Sequence, residues 1–140
     1  MDVEIRRMAP ADAALLAAYD DDIFDEAVEP DRLTAYLAAP GHLMVCAIAA
    51  DGVVIGQARG VLNLQPDTPS SLYIDNLGVA PSRRREGIAG RLLDELVAWG
   101  RENGCETAWV ATEMDNDGAR ALYAGRGAES DTFAYYTYDL

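Results

Sequence analysis

The residues best placed to do chemistry lie in the run Val79-Ala80-Pro81-Ser82-Arg83-Arg84-Arg85-Glu86-Gly87-Ile88-Ala89-Gly90. A strand-like segment precedes it and an amphipathic helical segment follows. The first N–H groups of a helix lack partners within it, and the helix dipole adds partial positive charge at that end. Small residues at 87, 89 and 90 let a phosphate approach the backbone, and the arginines add full charge and forked donors. Gly87 and Gly90 taken singly would also suit any strand-to-helix connection. The order Arg84-x-x-Gly87-x-Ala89 is more specific. It lacks the Lys-Ser/Thr of a nucleoside-triphosphate loop and the spacing of a dinucleotide fold.

The rest of the composition narrows the partners. The chain has 140 residues, 24 Asp and Glu against 11 basic residues, and a net charge of −13. That charge repels nucleic acid and anionic membrane. It serves solubility, or it draws a cationic substrate into a cleft lined with carboxylates. Against this background the cluster Arg83, Arg84 and Arg85 marks where an anion is wanted. Cys46 and Cys105 are isolated and read as buried thiols, and the single His42 cannot anchor a multi-histidine site, so no metal is implied. No stretch has transmembrane length and no signal-peptide pattern opens the chain, so the cytoplasm is the expected location.

Around that turn the sequence reads as one domain, residues 1–140, with alternating elements. Val3–Met8 alternates as a first strand. A helix follows Pro10, with Asp12 in its first turn, and a second spans Asp31–Leu37. His42–Ala49 and Val53–Leu64 form a hairpin across Asp51-Gly52. Leu72–Val79 is a strand and Gly87–Gly100 the longest helix, with Ile88, Leu92, Leu93, Leu96 and Val97 at helical spacing. Thr107–Thr112 reads as a buried strand, Asp117–Ala124 as a short helix ended by Gly125 and Gly127, and Thr132–Tyr138 as a terminal strand. The class is α/β or α+β with a mixed sheet.

At Arg84-x-x-Gly87-x-Ala89 the chain resembles the GNAT superfamily of N-acetyltransferases, whose signature is Arg/Gln-x-x-Gly-x-Gly/Ala. The resemblance extends to Asn116-x-x-Ala119-x-x-Leu122-Tyr123 before Gly125 and Gly127. It implies a mixed, mostly antiparallel central sheet flanked by helices, with a cleft where the fourth and fifth strands splay apart. It implies acetyl-CoA as donor. Backbone groups of Leu77, Gly78 and Val79 would meet the pantetheine arm, with Gly78 suited to a bulge. The pyrophosphate would rest on Arg84, Arg85, Glu86, Gly87, Ile88, Ala89 and Gly90, and Asn116 would touch the coenzyme. Tyr123 matches the tyrosine near the coenzyme sulfur that can protonate the departing thiolate; otherwise it is a core aromatic.

An attacking amine must lose a proton, and Asp75, on the strand feeding the cleft, is the candidate base. Tyr73 stands where histone-modifying relatives carry glutamate, which argues against a histone-type site. Within the superfamily the chain looks most like aminoglycoside 3-N-acetyltransferases, through Tyr73-Ile74-x-x-Leu77-x-Val79, Arg84-Arg85-x-Gly87-Ile88-Ala89 and Ala119-x-Ala121-Leu122-Tyr123. Those enzymes carry aspartate where Asn76 stands here. Asp22, Asn76, Glu113, Asp115 and Asp139 are the candidate contacts to a polycationic acceptor. Another amine (a polyamine, an amino acid or a protein N-terminus) is the first alternative, and a coenzyme A-binding module without activity the second. The resemblance also suggests a homodimer through the C-terminal tyrosines.

Overall fold

Asp51 and Gly52 close the central hairpin because each supplies what the turn needs. Gly52 sits at φ 87, a left-handed conformation open to glycine. The Asp51 carboxylate accepts a hydrogen bond from the Val53 N–H at 3.1 Å. The turn joins β2 (His42–Ile48) to β3 (Val54–Asn63). The computed structural model describes residues 2–140. Its five-stranded sheet has the order β1-β2-β3-β4-β5, with β1 at Glu4–Arg7, β4 at Ser71–Val79 and β5 at Thr107–Trp109. Among these five strands only β4 and β5 pair in parallel. A parallel pair needs a crossover. Two helices, α1 (Pro30–Ala38) and α2 (Ile88–Glu102), accompany this sheet, and α2 is that crossover.

The period of two along β3 sorts its residues onto two faces. Gly56 and Gly60 lie under α2, where an added Cβ would stand 3.2 Å from Leu92 or from Leu96. Both leucines are fully buried, and each contributes about 1.5–3 kcal/mol by leaving water. Gly100 permits the same close approach to Leu72. Arg7 of β1 ties the helix down, with Nε 2.6 Å from Glu95 and Nη2 2.6 Å from Glu102. Gln57 and Arg59 alternate onto the opposite face, beside residues 20–29 and α1.

Three expectations change. Residues Pro10–Ala17 form a 3-10 helix interrupted at Leu16, because Leu16 is its only buried residue and too narrow a stripe to hold α-helical turns. β5 is three exposed residues rather than a buried strand through Thr112, since it sits at the sheet edge and pairs only with Ser71–Tyr73. Thr132–Tyr138 carries no strand: among the described residues nothing supplies its ladder, and Phe133, Tyr135, Tyr136 and Tyr138 are exposed.

The described residues fall into two compact units, one ending at Val110 and one beginning at Ala111. The second holds α3 (Asp117–Gly125). Gly127, at φ 84, closes that helix, and the Gly127 and Ala128 N–H groups donate to the Ala124 and Tyr123 carbonyls. Among the described residues no helix is long and apolar enough to cross a membrane.

Candidate active site

β4 carries one residue too many for its partner. Arg59 pairs with Asn76 and Gly60 with Ile74, so Asp75 is left over as a β-bulge. The bulge therefore lies at Asp75 and not at Gly78, which keeps a regular partner in Gln57. Gly78 is glycine for another reason. A Cβ there would stand 2.5 Å from the Ile23 carbonyl oxygen, so the segment around Ile23 crosses β4 in backbone contact. Gln57, fully buried, pins the crossing: its Nε2 donates to the Ile23 carbonyl at 2.8 Å and to Asn76 Oδ1 at 2.7 Å. Asn76 and the Ile23 segment are brought together in this way, and Asp22 lies on that segment next to Ile23. Asp22 and Asp75 are exposed, and the Asp22 N–H donates to Asp20 Oδ1 at 2.9 Å.

The edge of β4 is open where the chemistry would occur. β5 pairs only as far as Tyr73, whose ring stacks on Trp109 with centroids 4.3 Å apart. Beyond that fork Asp75, Leu77, Gly78 and Val79 have no β5 partner, so backbone groups on that edge are free for an extended ligand arm.

β4 then runs into the arginine-rich turn proposed from the sequence to hold an anion. Arg85 stands at φ 68 and Gly87 at φ 78. For a non-glycine residue that conformation costs about 1–2 kcal/mol, and such strain clusters at ligand sites. A Cβ at Gly87 would meet nothing within 4 Å, so the start of α2 is open to an incoming group. The first α2 hydrogen bond to Gly87 comes from the Arg91 N–H, so the N–H groups of Ile88, Ala89 and Gly90 are left for a ligand. Arg83 is occupied: its guanidinium binds Glu86 at 2.9 and 3.1 Å, which holds the Glu86 carboxyl below the usual range. Arg84 and Arg85 are exposed. This donor set fits a diphosphate.

In the second unit, Asn116 Oδ1 caps α3 by accepting from the Ala119 N–H at 3.1 Å. Tyr123 is half-buried, and burial raises its phenol pKa. Glu113, Asp115 and Asp139 are exposed. No group of three or more metal-ligating side chains occurs among the described residues.

The sequence reading missed a cavity of about 410 Å³ on the face of the sheet away from α2. Phe24, Asp25, Glu26, Arg32, Tyr36 and Arg59 contribute to its lining. Arg59 lies across the ladder from Asn76, beside the bulge. The signal was available, since Gln57 and Arg59 are the two polar residues in the otherwise apolar run Val53–Leu62 and share one face.

The profile of the acetyltransferase (GNAT) family matches residues 11–128. Uncharacterized N-acetyltransferase YhfO of Bacillus subtilis is 32% identical over 96% of this chain and 95% of its own length. N-alpha-acetyltransferase RimI of Mycobacterium tuberculosis is 31% identical over 89% of this chain and 77% of its own. A shorter match, 37% identical, reaches Probable N-acetyltransferase HLS1 of Arabidopsis thaliana, of which it spans 15%. Among solved structures, the aminoglycoside acetyltransferase meta-AAC0020 from an uncultured soil sample, in complex with sisomicin, superposes with a TM-score of 0.85. The identity is 18%, over 99% of this chain and 96% of that one. Aminoglycoside N-acetyltransferase AAC(6')-Iy in complex with CoA gives 0.79 at 22% identity, over 99% and 96%. With the bulged fourth strand, its open edge and the arginine-rich turn all in place, the chain belongs to the GNAT acetyltransferase family.

Proposed function

We propose that the protein transfers the acetyl group of acetyl-CoA to an amine of a small polar acceptor. The observation that carries this reading is an exposed carboxylate, Asp75, bulged out of a strand whose free edge leads into an anion-binding helix start. When bound, acetyl-CoA supplies an acyl group already activated as a thioester. Arg84, Arg85 and the backbone from Glu86 to Gly90 would hold its diphosphate. Leu77, Gly78 and Val79 would offer strand groups to the pantetheine arm, and Asn116 would add a contact. Asp75 takes the proton that the acceptor ammonium must lose, directly or through water. Tyr123 would offer its phenol proton to the leaving sulfur, and burial, which raises its pKa, favours that neutral donor form.

Two acceptor classes follow from different observations. Aminoglycosides suit the net charge of −13 and the acids Asp22, Glu113, Asp115 and Asp139. The names of several relatives support that class but specify the 6' amine, so they lend nothing to a 3-N position. An amine that also bears an anionic group is favoured by Arg59 beside the bulge. A panel of aminoglycosides, polyamines, amino acids and peptide N-termini, followed by release of free thiol from acetyl-CoA, tests the reading. Turnover of at least one class is the expected result. Tight coenzyme binding by calorimetry with no turnover of any amine would instead make the protein a coenzyme-binding module.

A further inference from the structure

We infer that Arg59 and Tyr36 form a carboxylate-binding subsite, so that the preferred acceptor is an amine carrying a carboxylate a few bonds away. This inference rests on the amine-acetylation reading. Arg59 projects from mid-strand over the Phe24 ring, with its guanidinium carbon 6.0 Å from the centroid. Its Nε is buried with no hydrogen-bond partner, and no ion pair engages it among the described residues. Arg32, Arg84 and Arg85 can satisfy their donors in water because they are exposed, whereas the buried Nε of Arg59 cannot.

Tyr36 makes the same point independently. Its hydroxyl is buried and also lacks a partner, although buried polar atoms are almost always paired. Both residues line the same cavity, and Arg32 adds a second guanidinium to its wall. Of the acids there, Glu29 is already engaged as the cap of α1, accepting from the Asp31 and Arg32 N–H groups at 3.1 and 2.8 Å. Asp25 and Glu26 remain exposed. The wall thus offers a forked cation and a phenol donor, with free acids elsewhere around it. A carboxylate would satisfy Arg59 bidentately and accept from Tyr36.

The amine end has a place as well. Arg59 faces Asn76 across the ladder, and Asp75 stands between Asn76 and the next register pair. The negative charge of Asp75 reaches Tyr36, where it opposes ionisation of the phenol, while Arg59 favours it. Burial outweighs both and pushes the phenol up to about 12, so Tyr36 remains a donor. A molecule spanning the two positions is a zwitterion, with its carboxylate on Arg59 and its amine at Asp75. A polycation without an anionic group would instead meet an uncompensated guanidinium.

The test compares paired acceptors: glycine, alanine, phenylalanine and glutamate against their α-carboxamides, with kanamycin as the polycation, using the intact chain and acetyl-CoA. The wild type is expected to favour the carboxylate form by about 10-fold or more in kcat/KM, the size of a charge-assisted hydrogen bond. Arg59→Ala should bring that ratio close to one, Arg59→Lys should restore part of it, and Tyr36→Phe should lower it several-fold. A wild-type ratio near one, or kanamycin turned over best and faster still in Arg59→Ala, overturns the subsite while leaving acetyl transfer intact. If no amine is acetylated, the enzymatic reading fails, and the subsite is then judged by binding alone. An amino acid that raises the Tm of the wild type but not of Arg59→Ala supports it, and no such difference overturns it.

Discussion

At the scale of single residues, the roles proposed for Asp75 and for Tyr123 can each be tested by one substitution. If Asp75 removes the amine proton, Asp75→Asn should cut kcat by about 100-fold or more, the range of general-base catalysis. Coenzyme affinity should hold, since the contacts proposed for the diphosphate lie elsewhere. Equal losses in kcat and coenzyme affinity would mean that the bulge had been disturbed and not the base. Tyr123→Phe should slow the chemical step with little change in KM; pre-steady-state thiol release would show it. Asp75 stood out as a candidate in the sequence because a carboxylate amid Tyr73, Ile74 and Leu77 is conspicuous. Its setting did not, since a bulge is a mismatch between two strands and no single strand displays it. Arg59 and Tyr36 escaped for a similar reason: their unpaired state depends on what long-range packing fails to supply.

At the scale of elements, the fold was most legible where local chemistry and periodicity agree. Asp51-Gly52 gave the hairpin, and the spacing of Ile88, Leu92, Leu93 and Leu96 gave α2 nearly to its ends. It was least legible where a partner decides the state, as at Thr107–Thr112 and Thr132–Tyr138. The crossing of Ile23 over Gly78 belongs to this second kind. Gly78→Ala sets a methyl group against a carbonyl oxygen at 2.5 Å, and neither β4 nor the crossing backbone is the yielding end of a flexible side chain. The loss should be about 1–3 kcal/mol. It should appear as a Tm lower by several degrees and as a raised KM for the acceptor, because Asp22 and the Gln57–Asn76 contact shift with the segment. A variant with unchanged Tm and KM would show that this crossing neither stabilises the fold nor shapes the site.

At the scale of the molecule, charge governs behaviour through the acidic side chains that are paired. Asp12, Glu29 and Glu102 are held below their ordinary pKa values. Arg6 does this for Asp12, the Arg32 and Asp31 N–H groups for Glu29, and Arg7 for Glu102. A carboxyl depressed in the folded state contributes stability above its unfolded value and loses it as pH falls through the folded value. Ordinary values are 3.8 for Asp12 and 4.5 for Glu29 and Glu102, so the loss should begin near pH 4.5 and deepen below it. The remaining acids act in the other direction near neutrality, because a net charge of −13 strains the compact state by self-repulsion. Added salt should therefore raise Tm at pH 7, where repulsion dominates, and not below pH 4, where the acids are being neutralised. Arg7→Met separates the two effects. It removes the link from β1 to Glu95 and Glu102 on α2 while keeping most of the stem. Its Tm should fall at pH 7, and the deficit should shrink toward pH 3 as Glu102 takes up a proton. A deficit of the same size at both pH values would show that Arg7 holds α2 by packing alone.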